Sequence, residues 1–164
     1  MNAEELKNFP SLNIPLSELR LKSENGEIKV YDPARDKFVS LTPEEFVRQH
    51  FVEWLIRDYG YPRSLIANEA AVKVNDTKKR CDTIVFNRQG DPLMIVEYKA
   101  PGVNINQDTF DQIVRYNMAL RARYLVVSNG LRHYCCVIDY KNNTYNFIPQ
   151  IPHYVETLDT TGLN

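Results

Sequence analysis

The sequence predicts a mixed α/β fold (α+β) in which a central mixed β-sheet is flanked by two helices. Three observations predict it. A well-capped helix begins at Thr42, two β-rich runs flank a turn between Cys81 and Tyr98, and a second helical pattern separates Lys99 from Tyr124. The 164 residues suffice for one core. Twenty basic and 21 acidic residues nearly cancel, so nucleic-acid binding would have to rest on a local patch. No apolar run approaches the ~20 residues of a membrane span, and no secretory signal opens the chain. Cys81, Cys135 and Cys136 lack metal-ligand spacing, which predicts reduced, structural thiols in a cytoplasmic protein without a membrane partner.

Residues 1–40 read as an N-terminal extension. Leu12, Ile14, Leu16, Leu19 and Leu21 could dock on the body, Asn25-Gly26 is a turn, and Glu27–Tyr31 with Lys37–Leu41 form a small hairpin. The main domain spans 41–148. Thr42 is a natural N-cap, Pro43 fits the first helical position, and Glu45 three residues on completes a capping box. Phe46, Val47, His50, Phe51, Trp54 and Leu55 make the apolar stripe of this helix. His50 reads as a core or boundary histidine. Glu44 lies on the stripe's edge, where it could point toward acids on the sheet or serve as a first-turn acid at the helix dipole. Leu65–Val74 is a strand, and Lys78-Lys79-Arg80 reads as a loop leading into the next one.

Cys81–Phe86 and Leu93–Tyr98, joined through Gln89-Gly90-Asp91-Pro92, have the pattern of an antiparallel hairpin. Folded about Gln89-Gly90, it sets Asp82 roughly across from Glu97. Residues two apart share a strand face, so Lys99 joins Glu97. Two neighbouring carboxylates repel unless a proton or cation is shared, and carboxylate oxygens with open water positions suit Mg²⁺. Arg80, two residues from Asp82, could share its face and, with Lys79, contact phosphates; a solvated loop is the alternative. A second helix from about Gln107 or Asp108 to Arg121 buries Phe110, Ile113, Val114, Asn117 and Leu120. Gln112 and Tyr116, four apart, stack on its shoulder. Its length suits a crossover, so the strands before and after it should be parallel neighbours. Tyr124–Ser128, Arg132–Ile138 and Thr144–Ile148 are further strands, and residues 149–164 read as a C-terminal tail.

The spacing of Asp82, Glu97 and Lys99 resembles the P-D…(D/E)-x-K nuclease superfamily, with Cys81 where many members carry proline. Thr-Pro-Glu-Glu-Phe-Val-Arg-Gln (42–49), Arg-Cys-Asp-Thr-Ile-Val-Phe (80–86), Ile-Val-Glu-Tyr-Lys-Ala-Pro (95–101), Gln-Ile-Val-Arg-Tyr (112–116) and Ser-Asn-Gly (128–130) narrow it. In order and interval they resemble the N-terminal nuclease domain of type I restriction enzyme R subunits and its small stand-alone relatives. The resemblance implies a restriction-endonuclease-like core. It also implies Mg²⁺ or Mn²⁺ held by Asp82, Glu97 and the Tyr98 carbonyl, with Lys99 orienting or deprotonating water and Glu44 supporting the site. Gln112 and Tyr116 would bind DNA or position the scissile region. R subunits carry a helicase motor after this domain, whereas this sequence has no Gly-x-x-x-x-Gly-Lys-Ser/Thr loop. The relatives therefore act alone, act with a separately encoded helicase or other protein partner, or only bind. The expected function is metal-dependent hydrolysis of DNA phosphodiester bonds. The alternative is a catalytically weak nuclease-fold module that binds nucleic acid or a partner, and a third reading is an interaction protein whose acids are a surface cluster.

Overall fold

The computed structural model describes residues 5–158. Three short strands, β1 (Leu21–Glu24), β2 (Glu27–Asp32) and β3 (Lys37–Ser40), form an antiparallel sheet in sequence order. The expected hairpin is present as β2 and β3, and Asn25-Gly26, both at positive φ, adds β1 to it. Helix α1 (Pro43–Arg57) follows, capped by Thr42, whose hydroxyl accepts from the Glu45 amide at 3.1 Å. The capping box is only half formed, because the Glu45 carboxylate turns inward to Arg35, Arg48 and Gln49.

The main sheet runs β4 (Ile66–Val74), β5 (Thr77–Phe86), β6 (Pro92–Tyr98), β7 (Tyr124–Ser128), β8 (His133–Asp139) and β9 (Thr144–Ile148), in that spatial order. All neighbours are antiparallel except β6 and β7, which α2 (Gln107–Asn117) connects as a crossover. Lys78, Lys79 and Arg80, expected in a loop, lie within β5 and pair with Lys73, Val72 and Ala71. The tight turn Asn75-Asp76, with both residues at positive φ, lets the hairpin run this far.

Alternation along the strands builds two cores. Val96, Tyr98, Tyr124 and Val126 face α1 and meet Val47, Phe51 and Leu55. Ile95, Leu125, Val127 and Cys136 face the other way and meet Phe110 and Val114 of α2. Each fully buried side chain of this class contributes roughly 1.5–3 kcal/mol. Gln107–Asn117 is shorter than the expected helix, because Met118–Leu120 tightens to a 3-10 turn and Arg121 adopts φ +59°. Past β9 the chain is anchored: Ile151 and Tyr154 are buried, the Tyr61 hydroxyl donates to Pro152 O (2.7 Å), and the Tyr154 amide donates to Tyr59 O (2.8 Å). A short helix, α3 (Tyr154–Leu158), closes the described chain. The ends of the expected extension and tail, 1–4 and 159–164, lie outside the described residues. Among the described residues, no helix is long and apolar enough to cross a membrane.

Candidate functional site

Two strand irregularities build the site. Residues two apart should share a face, yet Ile66 packs with the α1 core while Ala70 packs with the α2 core. The switch falls at Glu69, whose φ is +52°. On β5, Cys81 and Ile84 are three apart yet both face α2, so that strand switches beside Asp82. The β4–β5 pairing skips Glu69 opposite Asp82, and the regular β5–β6 pairing stops at Thr83 opposite Val96.

Asp82 is thereby released from both ladders and bonds differently. Its carbonyl accepts from Arg48 Nη1 at 2.6 Å, and its carboxylate Oδ2 accepts from the Tyr98 amide at 2.9 Å. Glu97 lies one step beyond the last regular pair, beside Asp82. Burial and the interaction with Asp82 push the Glu97 carboxyl well above the usual carboxylate range, while Lys99 and Asn117 pull it back. The two acids are therefore neighbours, as the hairpin register predicts, and Lys99 lies within electrostatic reach of the pair.

An open pocket of about 320 Å³ adjoins Glu97. Arg80, Gln112, Ile113, Tyr116 and Asn117 complete its lining. Gln112 is exposed and Tyr116 is 46 % exposed, as their place on the helix shoulder predicts. Lys79 Nζ stands 4.2 Å from the Tyr116 ring centroid, and Arg80 Nε is 3.0 Å from Glu69 Oε2. The structure thus brings Asp82, Glu97, Lys99, Arg80, Lys79, Gln112 and Tyr116 to one region.

Glu44 is the exception, and its expected direction is corrected. It is exposed in the first turn of α1, whereas its neighbour Glu45 is 5 % exposed and points inward. The cause is pairing: Arg35 Nη2 reaches Glu45 Oε1 at 2.5 Å and Arg48 Nε lies 3.1 Å from Glu45 Oε2. Among the described residues, no group of three His, Cys, Asp or Glu side chains is arranged to hold a metal. The acids at this site are the two carboxyl groups of Asp82 and Glu97.

Sequence reading missed Arg48 and Glu69. Arg48 is buried and also bonds Glu69 Oε1 at 2.7 Å. Burial opposes ionisation of Glu69, but the Arg48 and Arg80 contacts hold its carboxyl below the ordinary range. An acid inside an otherwise apolar strand was the available signal for Glu69. For Arg48 the signal was its position on the buried side of α1. The thiols are inert, since burial raises each of Cys81, Cys135 and Cys136 to about 12.

A family model described as the type I restriction enzyme R protein N terminus matches residues 43–152. Among solved structures, a fragment described as an HsdR subunit of a type I restriction enzyme from Vibrio vulnificus YJ016 is similar over 72 % of this chain. The two share 18 % identity with a TM-score of 0.48, and this chain spans 25 % of that one. No curated protein matches the sequence.

Proposed function

The chain belongs to the type I restriction enzyme R protein N-terminal family, and we propose that it is a P-D…(D/E)-x-K deoxyribonuclease domain that hydrolyses DNA phosphodiester bonds with a divalent cation. The observation that most supports this is the Asp82–Glu97 carboxyl pair beside a pocket whose helical wall carries Gln112 and Tyr116.

In this proposal Asp82, Glu97 and the Tyr98 carbonyl hold Mg²⁺ or Mn²⁺. The donors fit, because all are oxygens, as hard cations require. Burial first, and the Asp82 charge second, raise the proton affinity of Glu97, and a bound cation would relieve the repulsion between the two carboxylates. When bound, the cation supplies neutralisation of phosphate charge and activation of water near neutral pH. Lys99 directs its ammonium at the attacking water and the phosphate oxygens. Gln112 offers a neutral amide donor and Tyr116 a phenol to the DNA backbone. Lys79 and Arg80 bring positive charge to the pocket rim. Arg80 must exchange Glu69 for phosphate, which costs little, because exposed ion pairs are worth about 0–1 kcal/mol and its side chain is 72 % exposed. DNA is the proposed substrate, and a helicase or another protein is the proposed partner.

Incubation with supercoiled, linear and single-stranded DNA under Mg²⁺ or Mn²⁺ tests the proposal. Wild type should cut at least one form. Asp82→Asn should slow cutting by ~10²–10³, the scale of several kcal/mol of lost transition-state stabilisation. Wild type that binds DNA yet cuts no form under either ion would leave the binding-module reading in its place.

A further inference from the structure

A closed circuit of polar contacts begins and ends on Asp82. From its carboxylate the route passes through the Tyr98 amide to the Tyr98 ring, whose hydroxyl donates to Thr83 Oγ1 at 2.9 Å. Thr83 donates to Asn68 Oδ1 at 2.6 Å, and Asn68 Nδ2 donates to the Asp32 carboxylate at 3.1 and 3.3 Å. Arg35 Nε donates to Asp32, and Arg35 Nη2 donates to Glu45 Oε1 at 2.5 Å. Glu45 pairs with Arg48 at 3.1 Å, and Arg48 returns to the Asp82 carbonyl at 2.6 Å. Most members are buried: Thr83 is 0 % exposed, Asp32 1 %, Glu45 5 %, and Arg48 and Asn68 6 % each, while Asp82 and Arg35 are half-buried.

Asp32 ends β2 and Arg35 lies in the turn from β2 to β3, both outside the 43–152 that match the family. We propose that they are positioning residues, through which the β2–β3 turn fixes the Asp82 carboxylate for metal binding; this rests on the reading of Asp82 and Glu97 as the metal site. The need for such support follows from the strand. Asp82 has left both ladders, so its placement depends on Arg48 behind it and the Tyr98 amide in front. Arg48 is held by Glu45, and Glu45 is held by Arg35. Tyr98 is held by Thr83, and that arm also ends at Asp32. Arg35 joins the two arms, so its loss removes the cation that Asp32 and Glu45 share and loosens both arms together. Groups that orient metal ligands from behind typically change metal affinity by ~10–100-fold when removed.

Two variants and a control test this in the full chain. Arg35→Met cuts the circuit at its junction, Thr83→Val removes one hydroxyl at near-constant shape, and Lys37→Ala changes an exposed residue of the same turn region. The readouts are Mn²⁺ affinity by calorimetry and the amide proton shift of Tyr98, which reports its bond to the Asp82 carboxylate without any metal. Both circuit variants should weaken Mn²⁺ binding by ~10-fold or more and move the Tyr98 amide resonance upfield, while Lys37→Ala matches wild type. Folded variants with wild-type affinity and an unmoved Tyr98 resonance would overturn the inference. If Arg35→Met does not fold, Thr83→Val decides. If wild type binds no Mn²⁺, the metal-site reading fails instead, and the Tyr98 resonance alone decides whether the circuit positions Asp82.

Discussion

Single residues on the two helices separate structural from functional roles. His50 is 1 % exposed, its Nδ1 accepts the Ser17 amide at 3.1 Å, and its Nε2 has no partner among the described residues. Burial and the Arg57 charge lower it from 6.5 to about 4. A folded value below the unfolded one means the neutral ring is stabilising, so this contribution is full above pH 6.5 and is lost as pH falls from there toward 4. Denaturant unfolding at pH 5 should therefore show wild type weaker than at pH 7 by about 2 kcal/mol from this group. His50→Gln should lose less over the same interval; equal losses would contradict a neutral, buried His50. Tyr116 is the converse case. At 46 % exposure it carries little of the core, so Tyr116→Ala and Gln112→Ala should weaken DNA binding or cleavage while melting temperature changes by only a few degrees. A Tyr116→Ala protein that unfolds, with unchanged activity per folded molecule, would make the ring structural.

Strands and helices were legible where one local signal settled them. The Thr42 cap and Pro43 start placed α1, and the β-rich apolar run Leu93–Tyr98 beside its turn placed β6. The crossover length of α2 also implied the observed parallel pair of β6 and β7. Elements misread from sequence depended on pairing partners outside their own segment. Lys78–Arg80 looked like a loop because three cations are poor strand formers, but pairing with β4 overrides local preference. The segment after β9 lacked periodicity, yet Tyr59 and Tyr61 give its backbone partners far from it in sequence. Gly130 joins the body to the N-terminal segment: its φ is +84°, the Asn13 amide donates to its carbonyl at 2.8 Å, and an added Cβ would stand 2.7 Å from Leu12 Cδ2 and 3.0 Å from Val47 Cγ2. Gly130→Ala should destabilise by about 1–3 kcal/mol in urea titration through the positive φ and overpacking. An unchanged midpoint would mean that the segment repacks without cost.

Across the whole molecule, one sheet carries α1 and α2 on opposite faces, and the acid pair sits where β5 leaves both of its ladders. The neighbouring acids, Gln112 and Tyr116 were legible because hairpin register and helical spacing are local geometry. Glu44 was misassigned because the inward turn of Glu45 depends on Arg35, ten residues earlier and on another element. Arg48 and Glu69 went unread for a related reason: a buried ion pair is set by burial and packing, not by short-range pattern. The central claim, that Asp82 and Glu97 hold a divalent cation, is most directly tested by calorimetric titration of Mn²⁺ into wild type and Asp82→Asn. One saturable site in wild type that is lost or strongly weakened in Asp82→Asn is the predicted result. No binding heat in wild type, or the same affinity in both proteins, would contradict it.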